Sequence, residues 1–266
     1  MEVYDFNQCK CCGRKNSRPK YNLKNMVLYA CPDCDFHYTD ILDELEDGET
    51  GRSPLTGNEI HFIESQLDQN TRQMRLNLEF VRQFTDVAGL KCLDVGCGAG
   101  VFPALLHQAE AGVSAIEPQP LLREFCRTRF EISPHHELVD SLYWQQGFPR
   151  YFDIAILWDT LEHVNFPAQT IAGISRVVKP GGHLFLDTPA RESLSYRLSE
   201  WSYRISAGRN PLMLNSLYSE KRFGHKQIFT RKQLGQLLEE NGFSIIGRST
   251  LHRSKNKHVI VCRKVD

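Results

Sequence analysis

The fold is decided by the stretch Leu93-Asp94-Val95-Gly96-Cys97-Gly98-Ala99-Gly100. It reads as an apolar strand that runs into a glycine-rich turn, and a helix and a second apolar strand at 112–116 follow it. Glycines let the backbone turn sharply and let a ligand approach it closely. Glu117 stands directly after the second strand, where a carboxylate can accept hydrogen bonds from ribose hydroxyls. The pattern therefore predicts an α/β sheet that binds a ribose-containing ligand at this turn.

The same turn departs at one position from the fingerprint of dinucleotide-binding proteins. Val101 occupies the place where that fingerprint needs its third glycine. In a dinucleotide site, the glycine-rich turn aims a helix N-terminus at a pyrophosphate. Because the third glycine is replaced here, we expect a ligand that carries no phosphate.

Two further segments continue the α/β pattern. Residues 153–159, DIAILWD, read as a buried strand that runs out to a polar end, and TLEHV follows at 160–164. Apolar residues three or four apart then predict a helix through 171–178, which ends at the KPGG sequence of 179–182. The next strand is HLFLDTP, residues 183–189.

Together, these motifs resemble those of class I S-adenosylmethionine-dependent methyltransferases, in particular the ubiquinone-biosynthesis type and its relatives. The resemblance rests on an acid followed by G-x-G-x-G, on D-x-L-E-H-V at 159–164 and on V-K-P-G-G-x-L-F-L-x-T-P at 178–189. It covers roughly residues 70–266. It implies a Rossmann-like, seven-stranded sheet with helices on both faces, and S-adenosyl-L-methionine as the cofactor.

The resemblance also implies which residues contact the cofactor. Glu117 would hold the ribose hydroxyls, Asp94 would face the methionine ammonium, and Asp140 would meet the adenine amino group. The full set that it implies is Asp94, Gly96, Cys97, Gly98, Gly100, Glu117, Pro118, Asp140, Ser141, Leu142, Trp158 and Asp159.

Five of the nine cysteines lie close to the N-terminus, and four of these form two C-x-x-C pairs. Two such pairs can wrap one tetrahedral Zn²⁺, with the chain between them forming a hairpin. The spacing predicts a zinc ribbon whose structural Zn²⁺ is held by Cys9, Cys12, Cys31 and Cys34. Two alternatives remain at this point: Cys11 could replace Cys9 or Cys12, and His37 is a spare ligand.

The patterns divide the chain into a zinc ribbon at 1–40, an acidic linker at 41–58 and a methyltransferase domain at 59–266. Within the last part, an insertion at about 190–229 leaves the carboxyl edge of the sheet, where open α/β folds bind ligands. It is rich in arginine and aromatic residues, and we interpret it as a lid over the substrate. The alternative is a peripheral helical pair with a solvated basic face.

Arginine forks pair with carboxylate or phosphate. The lid therefore predicts an anionic substrate held by Arg197, Arg204 and Arg222. Two histidines are candidate catalytic bases. His163 follows the fourth strand, and His225 lies in the insertion. Each has a structural alternative, in which His163 positions its loop and His225 makes a local hydrogen bond.

The leading interpretation is methylation of a small anionic metabolite, such as a sugar, a lipid-linked compound or another biosynthetic intermediate. One alternative is an RNA methyltransferase whose zinc ribbon holds the nucleic acid. Another is a non-catalytic module that binds S-adenosylmethionine. Oxygen, nitrogen and carbon all remain open as the methyl acceptor, because function lies in the site and not in the fold. The oligomeric state is also open.

The composition restricts the partners of the chain. Lys+Arg 32 equals Asp+Glu 32, and this zero net charge argues against a broad nucleic-acid footprint. No run of about 18 apolar residues predicts a membrane span, and the N-terminus carries no apolar signal segment. Without an export signal, the cysteines indicate thiols and metal ligands rather than disulfides. We therefore expect a cytoplasmic protein that acts on a small molecule.

Overall fold

The computed structural model describes residues 4–44, 55–211, 213–249 and 256–265, with the backbone alone at 68 and 69. Much of the predicted acidic linker, residues 45–54, lies outside the described residues. The helices and strands are β1 Arg18–Asn22, β2 Val27–Ala30, β3 His37–Thr39, α1 Gly57–Arg82, β4 Lys91–Val95, α2 Val101–Gln108, β5 Gly112–Ile116, α3 Pro120–Phe130, α4 Leu142–Gly147, β6 Phe152–Leu157, α5 Pro167–Val177, β7 Val178–Pro189, α6 Leu194–Ile205, α7 Leu214–Leu217, β8 Gln227–Ile228, α8 Arg231–Glu240, β9 Phe243–Arg248 and β10 Lys257–Lys264. Within the described ranges, no helix combines the length and the apolar character that a membrane crossing requires.

The larger sheet has six strands in the order β5-β4-β6-β7-β10-β9. The first four run parallel, and β10 lies antiparallel between β7 and β9. Parallel neighbours need a crossover connection, and α2 and α5 supply it for two of the pairs. The predicted α/β class, with a Rossmann-like sheet, is confirmed.

Successive residues of the central strands face opposite sides of this sheet. In β6, Ile154 and Ile156 belong to a buried cluster with residues of α1 and α2. Ala155 and Leu157 belong to a second buried cluster, with residues of α5 and α8. Since side chains alternate along a strand, helices cover both faces of the sheet. Burial on both faces explains why the sequence of β6 is almost continuously apolar.

Where the prediction has a seventh strand, the described residues form a single β-bridge. His135 pairs in parallel with Ile116 at the outer edge of β5. Its N–H donates to the Ala115 carbonyl at 2.8 Å, and its own carbonyl accepts from the Glu117 N–H at 2.9 Å. Pro134, directly before it, has no N–H to continue a ladder. Among the described residues, the sheet is therefore six strands and this bridge.

The second sheet joins the N-terminal module (residues 4–40) to the insertion. Its order is β1-β2-β3-β8, and β8 comes from the end of the insertion. The ring of Phe36 packs against Phe229, with centroids 4.9 Å apart. Phe36 and Tyr38 also share one buried cluster with residues of α8. The module is thus built into the core of the α/β part.

Most aromatic residues of the insertion pack on the N-terminal module. The hydroxyls of Tyr196 and Tyr218 are both buried and lie 2.8 Å apart. Tyr203 packs edge-on against Tyr21, with ring centroids 4.8 Å apart. The Tyr21 hydroxyl donates to Glu200 at 2.7 Å. These contacts fix α6 to the module. Aromatic residues that the sequence assigns to a lid therefore pack against the module.

Candidate active site

The glycine-rich turn between β4 and α2 has no room for larger side chains at two positions. At Gly96, with φ 77°, a Cβ atom would lie 2.6 Å from the side chain of Thr160. At Gly100, with φ 86°, it would lie 2.3 Å from the Cys126 sulfur. Residues with a side chain rarely adopt such positive φ angles. Both positions therefore require glycine, which lets the turn pack closely against Thr160 and Cys126.

Glu117 is bound to the turn by its carboxylate. Oε2 accepts from the Gly98 N–H at 2.8 Å, and Oε1 accepts from the Gln119 N–H at 2.9 Å. Burial raises the pKa of Glu117 to about 7. Burial and the nearby charge of Glu117 raise the pKa of Asp94 to about 8. The end of the sheet therefore holds two buried carboxyls side by side.

A cavity of about 430 Å³ opens at this edge. It lies at the carboxyl ends of β4, β5 and β6, which is where open parallel sheets bind their ligands. Its volume falls within the range of small-molecule sites. Its lining consists of Asp43, Val95, Gly96, Gly98, Ile116, Glu117, Pro118, Gln119, Leu122, Leu138, Val139, Asp140, Asp159, Thr160, His163, Val164, Asn165, Phe166, Thr170 and Phe223.

One end of the cavity is covered by Asp43, which the sequence places in the acidic linker. Its carboxylate lies 2.5 Å from the Lys226 ammonium, with both side chains buried. The same carboxylate accepts from the Phe223 N–H at 3.0 and 3.1 Å. The backbone of Asp43 also exchanges two hydrogen bonds of 2.9 Å with the Asn165 amide. The sequence carries no local signal for this contact, since its partners lie more than a hundred positions away.

A carboxylate and two imidazoles meet beside the same end of the cavity. His163 lines it, and its ring centroid lies 4.7 Å from that of His225. The buried Glu162 carboxylate lies 3.9 Å from the Nε2 atom of His163. Burial, and then the charge of His225, lower the pKa of His163 to about 4. Burial also lowers the pKa of His225, so both imidazoles are neutral at pH 7.

A family model described as a methyltransferase domain matches residues 65–247, well over half of the chain. The chain belongs to the class I S-adenosylmethionine-dependent methyltransferases. The ubiquinone biosynthesis O-methyltransferase of Thiobacillus denitrificans is 35% identical to it over 127 residues. That alignment covers 47% of this chain and 55% of the relative. The chain thus spans about half the length of the curated relatives it matches.

Solved methyltransferase structures share the fold. A SAM-dependent methyltransferase from Methanosarcina mazei matches with a TM-score of 0.54 and 19% identity, over 70% of this chain and 97% of that one. The magnesium protoporphyrin IX methyltransferase of Synechocystis, solved with bound S-adenosylhomocysteine, matches with a TM-score of 0.54 and 16% identity. This match covers 80% of this chain and 90% of that one. At these identities the likeness concerns the fold alone.

Half of the cofactor residues implied by the family resemblance line the cavity. They are Gly96, Gly98, Glu117, Pro118, Asp140 and Asp159. The other six are not part of the lining. Asp94 is buried, Gly100 is the N-cap of α2 and Ser141 is the N-cap of α4. Leu142 is 73% exposed on α4, and Trp158 packs edge-on against Phe102. Cys97, the sixth, lies within the turn itself.

Asp159 is held in place by residues of β7 and β10, which lie far from it in the sequence. Its backbone has a left-handed φ of 49°. Its N–H donates to the Asp187 carboxylate at 2.6 Å. Lys257 of β10 makes an ion pair with Asp159 and lies 3.6 Å from Asp187. Burial lowers the pKa of Lys257 to about 8.

The three arginines that the sequence assigns to substrate binding lie outside the lining of the cavity. Arg197 and Arg204 are exposed on α6, on the part of the insertion that packs against the N-terminal module. Arg222 donates to the Glu44 carbonyl at 2.9 Å. Among the described residues, none of the three arginines lines the cavity. The insertion contributes Phe223 to its lining. The arginine argument for an anionic substrate therefore has no support in this geometry.

The four cysteines of the predicted ribbon come together. The sulfurs of Cys9 and Cys34 are 3.7 Å apart, and those of Cys12 and Cys31 are 3.6 Å apart. All four sulfurs lie within 4.8 Å of one another. Four thiolates at a Zn–S distance of about 2.3 Å would be separated by about 3.8 Å in a tetrahedron, so the donor set fits this ion.

The two alternative zinc ligands, His37 and Cys11, make other contacts. The ring nitrogens of His37 lie 2.7 Å from the Lys20 ammonium and 2.9 Å from the Tyr196 hydroxyl. Cys11 is outside the four-sulfur group, and its backbone N–H donates to the Cys9 sulfur at 3.4 Å. Neither residue is needed to complete a four-coordinate shell.

Proposed function

We propose that this protein transfers a methyl group from S-adenosylmethionine to a hydroxyl oxygen of a small acceptor. One observation carries the proposal: a glycine turn, a buried glutamate and an imidazole line a single cavity at the carboxyl edge of the sheet. The choice of oxygen is supported by relatives at 30 to 35% identity that are named O-methyltransferases. Because the chain covers about half of those relatives, their substrate is not assumed for it.

The cofactor would occupy the part of the cavity nearest the glycine turn. Glu117 would accept hydrogen bonds from the ribose hydroxyls. Each carboxylate oxygen has more than one lone-pair site, and the Gly98 and Gln119 N–H groups occupy one site on each. Gly96 and Gly98 would approach the methionine and ribose portions. Pro118 would lie against the adenine ring, and Asp140 would accept from its amino group.

S-Adenosylmethionine supplies a methyl group that leaves its electron pair on sulfur, so the reaction needs mainly alignment and a nucleophile. The acceptor hydroxyl must lose its proton as the new carbon–oxygen bond forms. His163 lines the cavity together with Asp43, and we call this part of the lining the acceptor end. The neutral imidazole of His163 would hold the acceptor hydroxyl and take up its proton. The ring of His225 lies outside the lining and contacts the ring of His163. His225 would therefore position His163.

The acceptor end combines two aromatic rings with a few polar groups. Phe166 and Phe223 line it together with Asp43 and Asn165. Aromatic walls favour flat, apolar ligands, and single polar groups fix their orientation. We therefore propose an uncharged, ring-containing acceptor with a hydroxyl group. RNA methylation has no observation in its favour, and neither has a non-catalytic role.

The N-terminal module would bind one structural Zn²⁺ through Cys9, Cys12, Cys31 and Cys34. The sulfur geometry supports this proposal. A module of this size has little apolar surface of its own, so metal binding would contribute much of its folding energy. The metal would also hold the sheet to which β8 belongs, and therefore the end of the insertion that carries Phe223.

The test is a transfer assay with methyl-labelled S-adenosylmethionine and a panel of phenols, catechols, hydroxy acids and RNA. We expect label in a phenol or catechol and calorimetric binding of the cofactor. Failure to bind S-adenosylmethionine at about 1 mM, a threshold of about −4 kcal/mol, would contradict methyl transfer. Label in RNA alone would replace the proposed acceptor.

A further inference from the structure

We propose that the N-terminal module shapes the acceptor end of the cavity, and that Lys10 is the positioning residue through which it does so. Lys10 lies between the two cysteines of the first C-x-x-C pair. It would hold residues 39–44, and therefore Asp43, in place beside the acceptor. The role in acceptor binding rests on the proposed function. The contacts of Lys10 do not, because they follow from the geometry of the module.

The ammonium of Lys10 is enclosed by the module, and only 4% of the residue is exposed. Its Nζ atom donates to the carbonyls of Thr39 and Ile41, at 3.2 Å each. The same atom lies 5.3 Å from the ring centroid of Phe6 and 5.5 Å from that of Tyr38. Aromatic faces attract a cation at such distances. Lysine is almost never fully buried without partners of this kind, so these four contacts explain its position.

The two carbonyls belong to the backbone that leads from the end of β3 to Asp43. Ile41 is only two positions before Asp43, and two residues of extended chain span at most about 7 Å. Fixing the Ile41 carbonyl therefore limits where Asp43 can lie. Without the ammonium, both carbonyls would lose this donor. The loss of a hydrogen-bond partner is unfavourable for a buried acceptor, so the segment would rearrange.

Residues 39–44 are connected to the lining of the cavity at two points. The Thr39 N–H donates to the Lys226 carbonyl at 2.8 Å, and the Asp43 carboxylate lies 2.5 Å from the Lys226 ammonium. Asp43 also holds the Phe223 N–H and the Asn165 amide. Asp43, Phe223 and Asn165 all line the cavity. A displacement of the segment would therefore change three lining residues together.

A second set of contacts leads from the module to the acceptor end. The ring of Phe6, which lies against the Lys10 ammonium, packs edge-on against Tyr4 with centroids 5.3 Å apart. The ring of Tyr4 lies 5.1 Å from that of Phe166, which lines the cavity. Neither set of contacts includes a residue of the glycine-rich turn. We therefore expect Lys10 to affect the acceptor and to leave cofactor binding unchanged.

The test is amide hydrogen exchange on the full-length protein with its zinc retained, because exchange reports local opening. In Lys10→Met, we expect residues 39–44 and Phe223 to exchange at least about tenfold faster, roughly 1.4 kcal/mol in opening free energy. The amides of β1 and β2, the zinc content and S-adenosylmethionine affinity should match wild type. Lys15→Met, an exposed lysine of the same module, is the matched control and should change none of these.

A lysine that only stabilises the module would give a different result. Its removal would speed exchange in β1 and β2 as much as in residues 39–44, and this outcome overturns the proposal. Wild-type exchange at residues 39–44 in Lys10→Met also overturns it. If Lys10→Met loses its zinc, the same criteria apply to Lys10→Gln, which removes the charge but keeps two N–H donors. Loss of zinc in both variants shows a structural lysine and overturns the proposal as well.

The transfer assay separates this proposal from the proposed function. With catechol as the acceptor, Lys10→Met should raise KM at least about fivefold and leave kcat within about twofold, as expected for a loss of uniform binding. If residues 39–44 open as expected while no acceptor is ever methylated, the positioning of the segment stands and the proposed function fails. If the segment opens but KM for catechol stays at the wild-type value, the proposed function stands and Lys10 does not position the acceptor end.

Discussion

The Lys226 ammonium lies 2.5 Å from the Asp43 carboxylate in an ion pair whose side chains are almost completely buried. Asp43 belongs to the segment after the N-terminal module, and Lys226 belongs to the end of the insertion. The ammonium also donates to the His163 carbonyl at 3.0 Å. One lysine therefore connects the segment of Asp43, the insertion and the loop after β6, beside the part of the cavity that we propose binds the acceptor.

Replacing this lysine should open the acceptor end without harming the cofactor end. Removing one partner of a buried ion pair typically costs about 3–5 kcal/mol, because the other charge is left buried. We expect Lys226→Met to lower the thermal midpoint and raise the acceptor KM. S-Adenosylmethionine affinity should change by less than about threefold, roughly 0.7 kcal/mol.

Lys221→Met is the matched control, since Lys221 is exposed five positions earlier. It should leave the melting temperature and both affinities unchanged. Equal effects of the two substitutions, or a loss of cofactor binding in Lys226→Met alone, would contradict the assignment of this ion pair to the acceptor end. Calorimetry and steady-state kinetics provide the measurements.

Glu117→Ala should weaken the cofactor specifically. The substitution removes the acceptor of the ribose hydrogen bonds, and hydrogen bonds to a charged group contribute about 1.5–3 kcal/mol each. We expect calorimetry to show at least a tenfold loss of S-adenosylmethionine affinity. Glu79→Ala, an exposed acid on α1, serves as the control. Wild-type affinity in Glu117→Ala would mean that the cofactor lies elsewhere.

The cofactor-free protein should become less stable as the pH rises. The folded-state pKa of Glu117 is about 7 and that of Asp94 about 8, whereas unfolded carboxyls titrate near 4. Groups with raised pKa values stabilise the fold fully below about pH 4, and this contribution disappears as the pH passes through 7 and 8. Urea unfolding at about pH 5.5 and about pH 8.5 measures the difference.

Glu117→Gln isolates the part of this pH dependence that comes from Glu117. A raised pKa of this size corresponds to up to about 3 kcal/mol, so the variant should lose less stability than wild type over the same interval. The pKa of Asp94 should also fall, because the charge of Glu117 contributes to its rise. Identical slopes for wild type and variant would show that Glu117 is not buried in solution.

Cys31→Ser should remove the zinc and destabilise the whole chain. The sequence alone suggests that only the first forty residues would unfold. In the structure, Phe36 and Tyr38 pack in the same cluster as residues of α8, and β3 pairs with β8. Because metal binding contributes folding energy, we expect the main thermal transition to fall and the metal content to approach zero.

Cys11→Ser is the control for this substitution, since Cys11 lies beside the four sulfurs but outside their group. It should retain one zinc per chain and the wild-type melting temperature. Wild-type protein that is purified without chelator and contains no zinc would refute the zinc ribbon. A metal-free Cys31→Ser protein with an unchanged main transition would show that the module unfolds independently.

The part of the cavity beside the glycine-rich turn can be predicted from short-range chemistry. The turn at Gly96 and Gly98 and the acid at Glu117 are separated by one strand–helix–strand unit, and their spacing is set by the geometry of that unit. The two C-x-x-C pairs likewise have the spacing that one tetrahedral ion would require. Each of these features is contained in a few dozen residues, so the sequence carries it directly.

The acceptor end depends on contacts between distant segments. Asp43 and Lys226 are 183 positions apart, and Lys257 reaches Asp159 from a different strand. Composition places Asp43 in an acidic linker, because nothing near it indicates its partner. The bridge between His135 and Ile116 also depends on a contact outside its own segment, because Pro134 interrupts the strand pattern and the edge of β5 defines the pairing.

The sequence assigns Arg197 and Arg204 to the substrate because a helix does not reveal which face it buries until its partner is known. In α6 the buried positions include Tyr196 and Ser199, and Arg197 and Arg204 are left exposed. Exposed substitutions of this kind usually change stability by less than about 0.5 kcal/mol. We therefore expect Arg197→Ala and Arg204→Ala to leave cofactor affinity and acceptor KM within about twofold of wild type, roughly 0.4 kcal/mol.

Arg222→Ala provides the contrast within the same insertion. Its guanidinium donates to the carbonyl of Glu44, the residue after Asp43. Loss of that contact should loosen the cover of the acceptor end and raise the acceptor KM several-fold, with cofactor affinity preserved. A tenfold loss of acceptor binding in Arg197→Ala or Arg204→Ala would instead mean that α6 leaves the N-terminal module and closes over the cavity during catalysis. Arg222→Ala kinetics equal to wild type would mean that the Asp43–Lys226 ion pair holds the cover without help.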